Sequence, residues 1–254
     1  MERPRLLLVP NFTELEWVIK PRLEEWAEVI SYDPPGIGDE PLAEEDREAM
    51  RAGGPSVREL VARRGLETVD RRGWDRYFVV ADGEGTGAAA LAASARPDAV
   101  QGIVLGHASL DFGMTGDRPA ISVAVWEAMA QLVTQDHDAF VRTGIVQVTG
   151  DNYREELAER MMERFDPEVA AALWDALRHE PIKIGQLVAG VGAPLLLAKH
   201  DGCLVFTEES FQDATATFPR ARAITLPEPP CLSEAFAGAL RSFCSEFAGS
   251  GSDD

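Results

Sequence analysis

The sequence predicts an α/β protein with a doubly wound, mostly parallel β-sheet and an inserted helical cap. Two observations lead to this fold class. Short apolar runs closed by glycine, proline or asparagine alternate with stretches of helical spacing, as in successive βαβ units. Between these repeats, a stretch of the chain from about residue 110 to residue 186 has helical periods and lacks strand patterns. We interpret that stretch as the cap.

Six segments have the uninterrupted apolar character of strands buried on both faces. The first is Leu6 to Val9, which ends at Pro10-Asn11. The others lie at 29–32, 77–81, 102–105, 194–198 and 223–226. Because ligands of open parallel sheets bind at the carboxyl ends of the strands, we expect the functional side chains to follow these segments directly.

Helical segments separate the strands. They are predicted at 20–28, 57–64, from the glycine-rich turn at 82–87 to Ala95, and at 123–133, 153–164, 167–178 and 233–247. We interpret the acidic stretch at 39–48 as a solvated loop and helix face with no function. His137, between two aspartates, is expected at the surface for the same reason.

Length and apolar content predict one globular unit. The α/β core comprises 1–109 and 187–248, the cap 110–186, and 249–254 is expected to be a disordered tail. The alanine-rich composition, with more arginine than lysine, hints at a GC-rich bacterial genome.

The chain is strongly acidic, with a formal net charge of -19, and this excludes nucleic acid and anionic membranes as partners. No run of about eighteen apolar residues or secretory leader is present, so a cytoplasmic location is expected. The three cysteines match no disulfide framework and no zinc spacing. We expect reduced thiols, no cofactor, no metal and a small-molecule partner, and the oligomeric state stays open.

Several motifs occur in the order of a known superfamily. Val9-Pro10-Asn11-Phe12 resembles an oxyanion loop, and Asp33-Pro34-Pro35-Gly36-Ile37-Gly38 resembles the turn after the next strand. Val79 to Leu91 is similar to a strand, nucleophile elbow and helix. Together they resemble the α/β-hydrolase fold superfamily, especially the bacterial subgroup associated with adenylate cyclases, over residues 6–247 apart from the cap. The two antiparallel strands that usually come first in this superfamily are expected to be missing, so the fold is N-terminally truncated.

The resemblance implies a degenerate catalytic triad. Counting fourteen residues back from Pro97 places Gly83 where the superfamily has its serine. A shift of one residue would instead place Glu84 there, as in enzymes with a carboxylate nucleophile. The acid position falls on Cys203, sixteen residues before Pro219, and the histidine position falls on Cys231.

What the resemblance leaves is a pocket that can hold an oxyanion. We expect ligand-oxygen contacts from Asn11, Phe12, Glu84 and Gly85, because backbone amides at a helix start bind negative charge. The residues expected to transfer protons are Asp82 and Glu84 at the elbow and His107 after the fourth strand, with Cys231 as a further catalytic candidate.

For each of these residues a structural role competes with the catalytic one. The two carboxylates can simply interact with the helix dipole. Cys203 and Cys231 can fill space as buried thiols, or Cys231 can act as a nucleophile if His200 or Lys199 lowers its pKa.

The residues therefore favour a non-hydrolytic enzyme that binds an apolar carbonyl compound and catalyses proton transfer, isomerisation, elimination or cyclisation. Two alternatives stay open. One is an inactive pseudohydrolase that binds a ligand or partner, and the other is an unorthodox hydrolase that uses Glu84 or Cys231.

Overall fold

The computed structural model describes residues 3–11, 16–39, 42–108, 111–112, 123–179, 182–203 and 208–248. In this part of the chain, six parallel strands form one sheet in the order β2-β1-β3-β4-β7-β8, and β5 and β6 form a separate antiparallel pair. The strands are Arg5–Val9 (β1), Glu28–Ile30 (β2), Tyr77–Asp82 (β3), Val100–Gly106 (β4), Asp111–Phe112 (β5), Ile182–Lys183 (β6), Leu195–His200 (β7) and Arg222–Leu226 (β8). The predicted doubly wound parallel sheet is confirmed.

Eleven α-helices are present among the described residues. They are Glu16–Glu24 (α1), Glu44–Arg51 (α2), Val57–Arg72 (α3), Gly85–Ala95 (α4), Val123–Gln135 (α5), His137–Thr149 (α6), Glu155–Arg164 (α7), Pro167–His179 (α8), Ile184–Val191 (α9), Glu208–Thr217 (α10) and Glu234–Phe247 (α11).

The sheet is buried on both faces, as its apolar runs predict. All six residues of β3 are buried. Alternate side chains along each strand point to opposite faces, so Leu7 and Val79 belong to one apolar cluster and Leu6 and Phe78 to the other. Helices packed on both faces hold the sheet in place, and the ends of its strands are held with it.

The predicted cap leaves and re-enters the core at neighbouring points. The strand pair β5 and β6 brings Asp111 opposite Lys183 and Phe112 opposite Ile182. Strand structure was not predicted within 110–186, because two-residue strands carry too little pattern to detect. Helix α9 begins at Ile184, before the predicted return to the core at 187, and packs on α4.

The far end of the predicted cap contacts the turn after β2. The main-chain N–H of Gly38 donates to the carbonyl of Arg164 at 2.8 Å, and that of Asp166 donates to the carbonyl of Gly36 at 3.1 Å. The guanidinium of Arg164 lies 2.9 Å from a carboxylate oxygen of Asp33. The turn that resembles the superfamily motif therefore anchors these cap helices.

Several predicted boundaries differ from the structure, most of all those of α1 and α3. Helix α1 was predicted at 20–28 and spans Glu16–Glu24, and the strand predicted at 29–32 spans Glu28–Ile30. Arg3 explains the early end of the helix, because its guanidinium binds the carbonyls of Glu24 and Ala27. That contact joins distant parts of the chain and has no local signal.

Helix α3 was predicted to end at Arg64, before a glycine, yet it continues to Arg72. A Cβ atom on Gly65 would lie 2.6 Å from the hydroxyl of Tyr32. The glycine therefore serves close packing inside the helix and does not stop it.

Helix α2 lies in the acidic stretch that was interpreted as a loop and helix face, and α6, α9 and α10 were not predicted. The tail 249–254, predicted to be disordered, lies outside the described residues. Within the described part of the chain, no helix combines the length and apolar character needed to cross a bilayer.

Candidate active site

Three adjacent strands bring Asp82, His107 and His200 together. Asp82 is the last residue of β3, His107 directly follows β4, and His200 is the last residue of β7. These strands are neighbours in the sheet, so their carboxyl ends meet at one edge. The three residues are 7%, 1% and 3% exposed, respectively.

The three side chains form a continuous hydrogen-bonded array. Asp82 Oδ1 lies 2.9 Å from His107 Nδ1, and His107 Nε2 lies 2.6 Å from His200 Nδ1. If the Asp82 carboxylate accepts from Nδ1–H of His107, then His107 Nε2 has a lone pair that accepts from Nδ1–H of His200. The main-chain N–H of His200 also donates to His107 Nε2, at 3.3 Å.

This arrangement leaves a lone pair on His200 Nε2. Among the described residues that atom is buried and has no hydrogen-bond partner, and the same holds for Asp82 Oδ2. The pKa of His200 is lowered to about 4, chiefly because the ring is buried and secondly because His107 is nearby. The ring of His200 is therefore neutral at pH 7, in the form that can accept a proton.

The backbone is unusual at the centre of the array. His107 has φ of 47°, the one positive value among the described non-glycine residues. Its N–H donates to the carbonyl of Ala198 at 2.8 Å, which holds this conformation in place. A Cβ atom on the preceding Gly106 would lie 2.5 Å from Asp82 Oδ1, so the glycine leaves room for the carboxylate.

The turn between β3 and α4 has the geometry of a nucleophile elbow, and Gly83 is at its apex. Gly83 has φ of 55°, whereas Glu84 has a helical φ of -63° as the N-cap of α4. A superfamily nucleophile occupies the sharp apex of this turn, so the geometry favours the register with Gly83 at that position. A Cβ atom on Gly83 would meet none of the described atoms within 4 Å.

Three of the predicted oxyanion residues, Asn11, Glu84 and Gly85, lie around the start of α4. A Cβ atom on Gly85 would lie 2.8 Å from the carbonyl oxygen of Pro10 and 3.2 Å from the amide nitrogen of Asn11. The end of β1 is therefore packed directly against the elbow, as the resemblance implies. Asn11 is 1% exposed, and Phe12 lies outside the described residues.

Glu84 is half-buried beside this turn. Burial raises the pKa of its carboxyl group, and the negative charge of Asp82 raises it further. The structure therefore favours the protonated form of Glu84 more than water does, which makes its carboxylate a poor nucleophile at low pH.

The two cysteines at predicted triad positions differ in their surroundings. Cys203 is half-buried, and its sulfur lies within 4.8 Å of ring nitrogens of both His107 and His200. Cys231 is 3% exposed, in the turn after β8. The loss of the catalytic triad stays a prediction.

The sequence identified Asp82 and His107 as separate candidates and did not identify His200 as a base. The sequence feature that could have pointed to His200 is the polar pair Lys199-His200 at the end of an otherwise apolar strand. The strand order of the sheet, which makes these three strand ends neighbours, could not be predicted from local sequence.

The helical spacing of Trp126, Met129, Leu132 and Val133 is compatible either with the lining of a lid over the pocket or with core packing. Met129 and Val133 of α5 are 2% and 5% exposed and belong to the main apolar cluster of the protein. Leu132 is half-buried, and the side chain of Trp126 lies outside the described set.

No family model and no curated protein matches this sequence. Solved structures do match. A hydrolase from Oleispira antarctica has a TM-score of 0.80 and 17% identity, over 96% of this chain and 92% of that chain. A bromoperoxidase from Bacillus anthracis has a TM-score of 0.77 and 16% identity, over 98% and 92%. An enol-lactonase from Burkholderia xenovorans LB400 has a TM-score of 0.72 and 15% identity, over 98% and 92%.

The protein therefore has the α/β-hydrolase fold, as the sequence motifs implied. At these identities the likeness establishes the fold and not the reaction.

Proposed function

We propose that this protein is a non-hydrolytic enzyme that transfers protons on an apolar, carbonyl-containing small molecule, with His200 as the general base. The observation that supports this proposal is the buried array Asp82–His107–His200, which ends in a nitrogen lone pair without a described partner. General base catalysis requires such a group in reach of the substrate.

The array gives each side chain a role. His200 Nε2 takes a proton from a carbon next to the substrate carbonyl. The proton on His200 Nδ1 then moves 2.6 Å to His107 Nε2, and positive charge develops on the imidazole that faces Asp82. Asp82 stabilises that charge and also holds His107 in the tautomer that accepts it. Reversal of these steps returns a proton to another substrate atom.

The electrons left by the proton collect on the carbonyl oxygen, which becomes an enolate. We propose that the main-chain amides of Asn11 and Gly85 bind that oxygen, and the close packing of the end of β1 on Gly85 supports this proposal. Gly83 offers no side chain for acyl transfer. Enolisation, isomerisation, elimination and cyclisation require no covalent intermediate, so they suit this site.

Deuterium exchange tests the proposal without knowledge of the natural substrate. A panel of apolar ketones and enones is incubated with the protein in D₂O and chelator, and exchange of the α-protons is followed by ¹H NMR. We expect exchange on at least one compound, and His200→Gln should lower its rate by about 100-fold or more. The matched control is His137→Gln on the cap, which should retain the wild-type rate.

Equal exchange rates in wild type and His200→Gln would overturn the base assignment. Absence of exchange across the panel would favour the pseudohydrolase alternative, in which the pocket binds without turnover.

The hydrolase alternative receives less support from the geometry. The pKa of Glu84 is raised by burial, which lowers the fraction of its nucleophilic carboxylate form, and Cys231 is as buried as His200, so exposure does not decide between those two residues. Hydrolysis of activated esters before and after thiol alkylation separates the cases. Turnover that alkylation abolishes, and that Cys231→Ser also lacks, would establish a thiol nucleophile.

A further inference from the structure

We infer that His107, His200 and Cys203 form a binding site for a thiophilic divalent cation of the Zn²⁺ class. Two imidazole nitrogens and one cysteine sulfur lie within 4.8 Å of one another. This inference goes beyond the proposed base catalysis, because it assigns metal binding to side chains that the proposed function uses for proton transfer.

The donor set suits zinc or cobalt. Nitrogen and thiolate donors are the usual ligands of Zn²⁺, and three protein ligands with an open fourth position are typical of reactive zinc sites. The two histidines are 1% and 3% exposed, so a bound ion would be screened little by solvent.

Asp82 provides the outer contact that such sites usually have. A histidine ligand generally donates its other ring N–H to a carboxylate, which fixes the tautomer and orients the ring. Asp82 Oδ1 lies 2.9 Å from His107 Nδ1, so His107 Nε2 is the ligating atom.

The second histidine needs only a small displacement. His107 Nε2 and His200 Nδ1 are 2.6 Å apart. Two nitrogens bound tetrahedrally to one Zn²⁺ lie about 3.3 Å apart, so a shift of less than about 1 Å admits the ion.

The loop after β7 places the sulfur and leaves the local charge favourable. A Cβ atom on Gly202 would lie 3.2 Å from His200 Nε2, so the chain next to Cys203 packs against the ring. Lys199, the neighbouring cation, donates to Asp201 at 2.9 Å and also binds Glu208. A thiolate together with Asp82 would balance the two positive charges of the ion.

Binding changes the protons in a defined way. The cation displaces the thiol proton of Cys203 to solvent, and the proton of His200 Nδ1 moves to Nε2 as that ring changes tautomer. His200 Nε2 then has no lone pair. This consequence, unlike the site itself, rests on the proposed function: the loaded protein is unable to use His200 as a base, and the cation acts as a switch that turns proton transfer off.

Cobalt titration of the metal-depleted protein tests the site without an activity assay. We expect one equivalent of Co²⁺ to give visible bands of tetrahedral cobalt and a near-ultraviolet thiolate-to-cobalt band, and Zn²⁺ to displace it. Cys203→Ser should remove the near-ultraviolet band, and Asp82→Asn should weaken cobalt affinity about 10- to 100-fold. The matched control is Cys244→Ala, which should leave both signals unchanged because Cys244 lies in α11 in the cluster on the other face.

Absence of the bands at one equivalent, or a thiolate band that persists in Cys203→Ser, would overturn the site. Circular dichroism of each variant establishes that the loss is not due to unfolding. The exchange assay in chelator tests base catalysis separately, so either proposal can fail while the other stands.

Discussion

Gly83 is the residue on which the chemistry of the elbow depends. Its φ of 55° belongs to the left-handed region, where a side chain costs about 1–2 kcal/mol. A serine at such an apex would bear that cost, whereas glycine adopts the conformation without it. The conformation of this turn therefore does not depend on a side chain at its apex.

We predict that Gly83→Ala lowers the free energy of unfolding by about 1 kcal/mol, because backbone strain is its main cost. Urea denaturation measures this change. Gly36→Ala is the comparison, since Gly36 also has positive φ but its Cβ atom would lie 2.3 Å from Val169 Cγ2. The loss should be clearly larger for Gly36→Ala, and equal losses would contradict the open space described at the elbow.

The pKa of Glu84 makes a further prediction at this scale. Burial raises the folded-state pKa above that of the unfolded chain, so the wild type loses stability as the pH rises through the folded pKa. Glu84→Gln lacks this titration. We expect the stability of the variant relative to wild type to increase from pH 4 to pH 8.

Urea denaturation at intervals of one pH unit measures the difference. Glu48→Gln, at an exposed position of α2, is the matched exchange of one carboxylate for an amide. Parallel curves for wild type and Glu84→Gln would contradict the raised pKa.

Elements differed in how well local sequence predicted them. The central strands were predicted because a strand buried on both faces must be apolar throughout, as in Tyr77–Asp82. Helix α6 was not predicted, because β-branched residues and Gly144 lower its helix propensity. Packing of Phe140 and Val141 in the main cluster stabilises it instead.

His137, at the start of α6, was predicted at the surface and is instead half-buried. Its ring lies 6.2 Å from Phe140 and 6.0 Å from Phe165, measured between centroids. Among the described residues, its two buried ring nitrogens have no hydrogen-bond partner. The prediction was wrong because the two aspartates beside His137 are its neighbours along the chain, whereas its ring packs against aromatic rings from elsewhere in the fold.

We therefore predict that His137→Phe raises the free energy of unfolding by about 1 kcal/mol, because it keeps the ring contacts and removes buried polar atoms without partners. His137→Ala should instead lower it by about 1 kcal/mol, since the aromatic contacts are lost. Thermal and urea denaturation of the two variants give the comparison. A destabilised His137→Phe would mean that the imidazole nitrogens are satisfied by water.

At the scale of the whole molecule, the predicted cap is joined to the core by apolar packing, main-chain hydrogen bonds and side-chain ion pairs. The bonds of Gly38 and Asp166 join the backbones of core and cap, and Arg164 reinforces them through Asp33. Arg47 adds ion pairs to Asp166 and to Glu168 at the start of α8. We call these contacts, which link the turn after β2 and helix α2 to the segment between α7 and α8, the polar seam.

We predict that Arg164→Ala loosens the cap and leaves the sheet intact, at a cost of about 1 kcal/mol. Hydrogen exchange should become faster in α7 and α8 and stay unchanged in β3. Arg154→Ala is the control, because its side chain is 57% exposed and it pairs weakly with Glu156 at 4.0 Å. Equal protection of α7 in wild type and Arg164→Ala would contradict the role of the seam.

The sequence predicted those parts of the site that depend on motif order along the chain and not those that depend on strand order in the sheet. Motif order placed Asp82, Gly83 and His107 at strand ends, and the structure brings Asp82 and His107 into contact. The partnership with His200 depends on strand β7 lying next to β4. Strands β4 and β7 are separated in sequence by the whole predicted cap, so no local sequence pattern indicates that they pair.

The position of the array on β3, β4 and β7 determines the order in which the molecule would come apart. These strands lie in the interior of the sheet, where backbone bonds on both sides make opening rare, whereas the predicted cap joins the core through apolar packing and a few main-chain and side-chain bonds. Under mild denaturant we therefore expect the predicted cap to open first, while Asp82, His107 and His200 keep their mutual distances. The protein would pass through a state with an exposed but intact set of strand-end side chains.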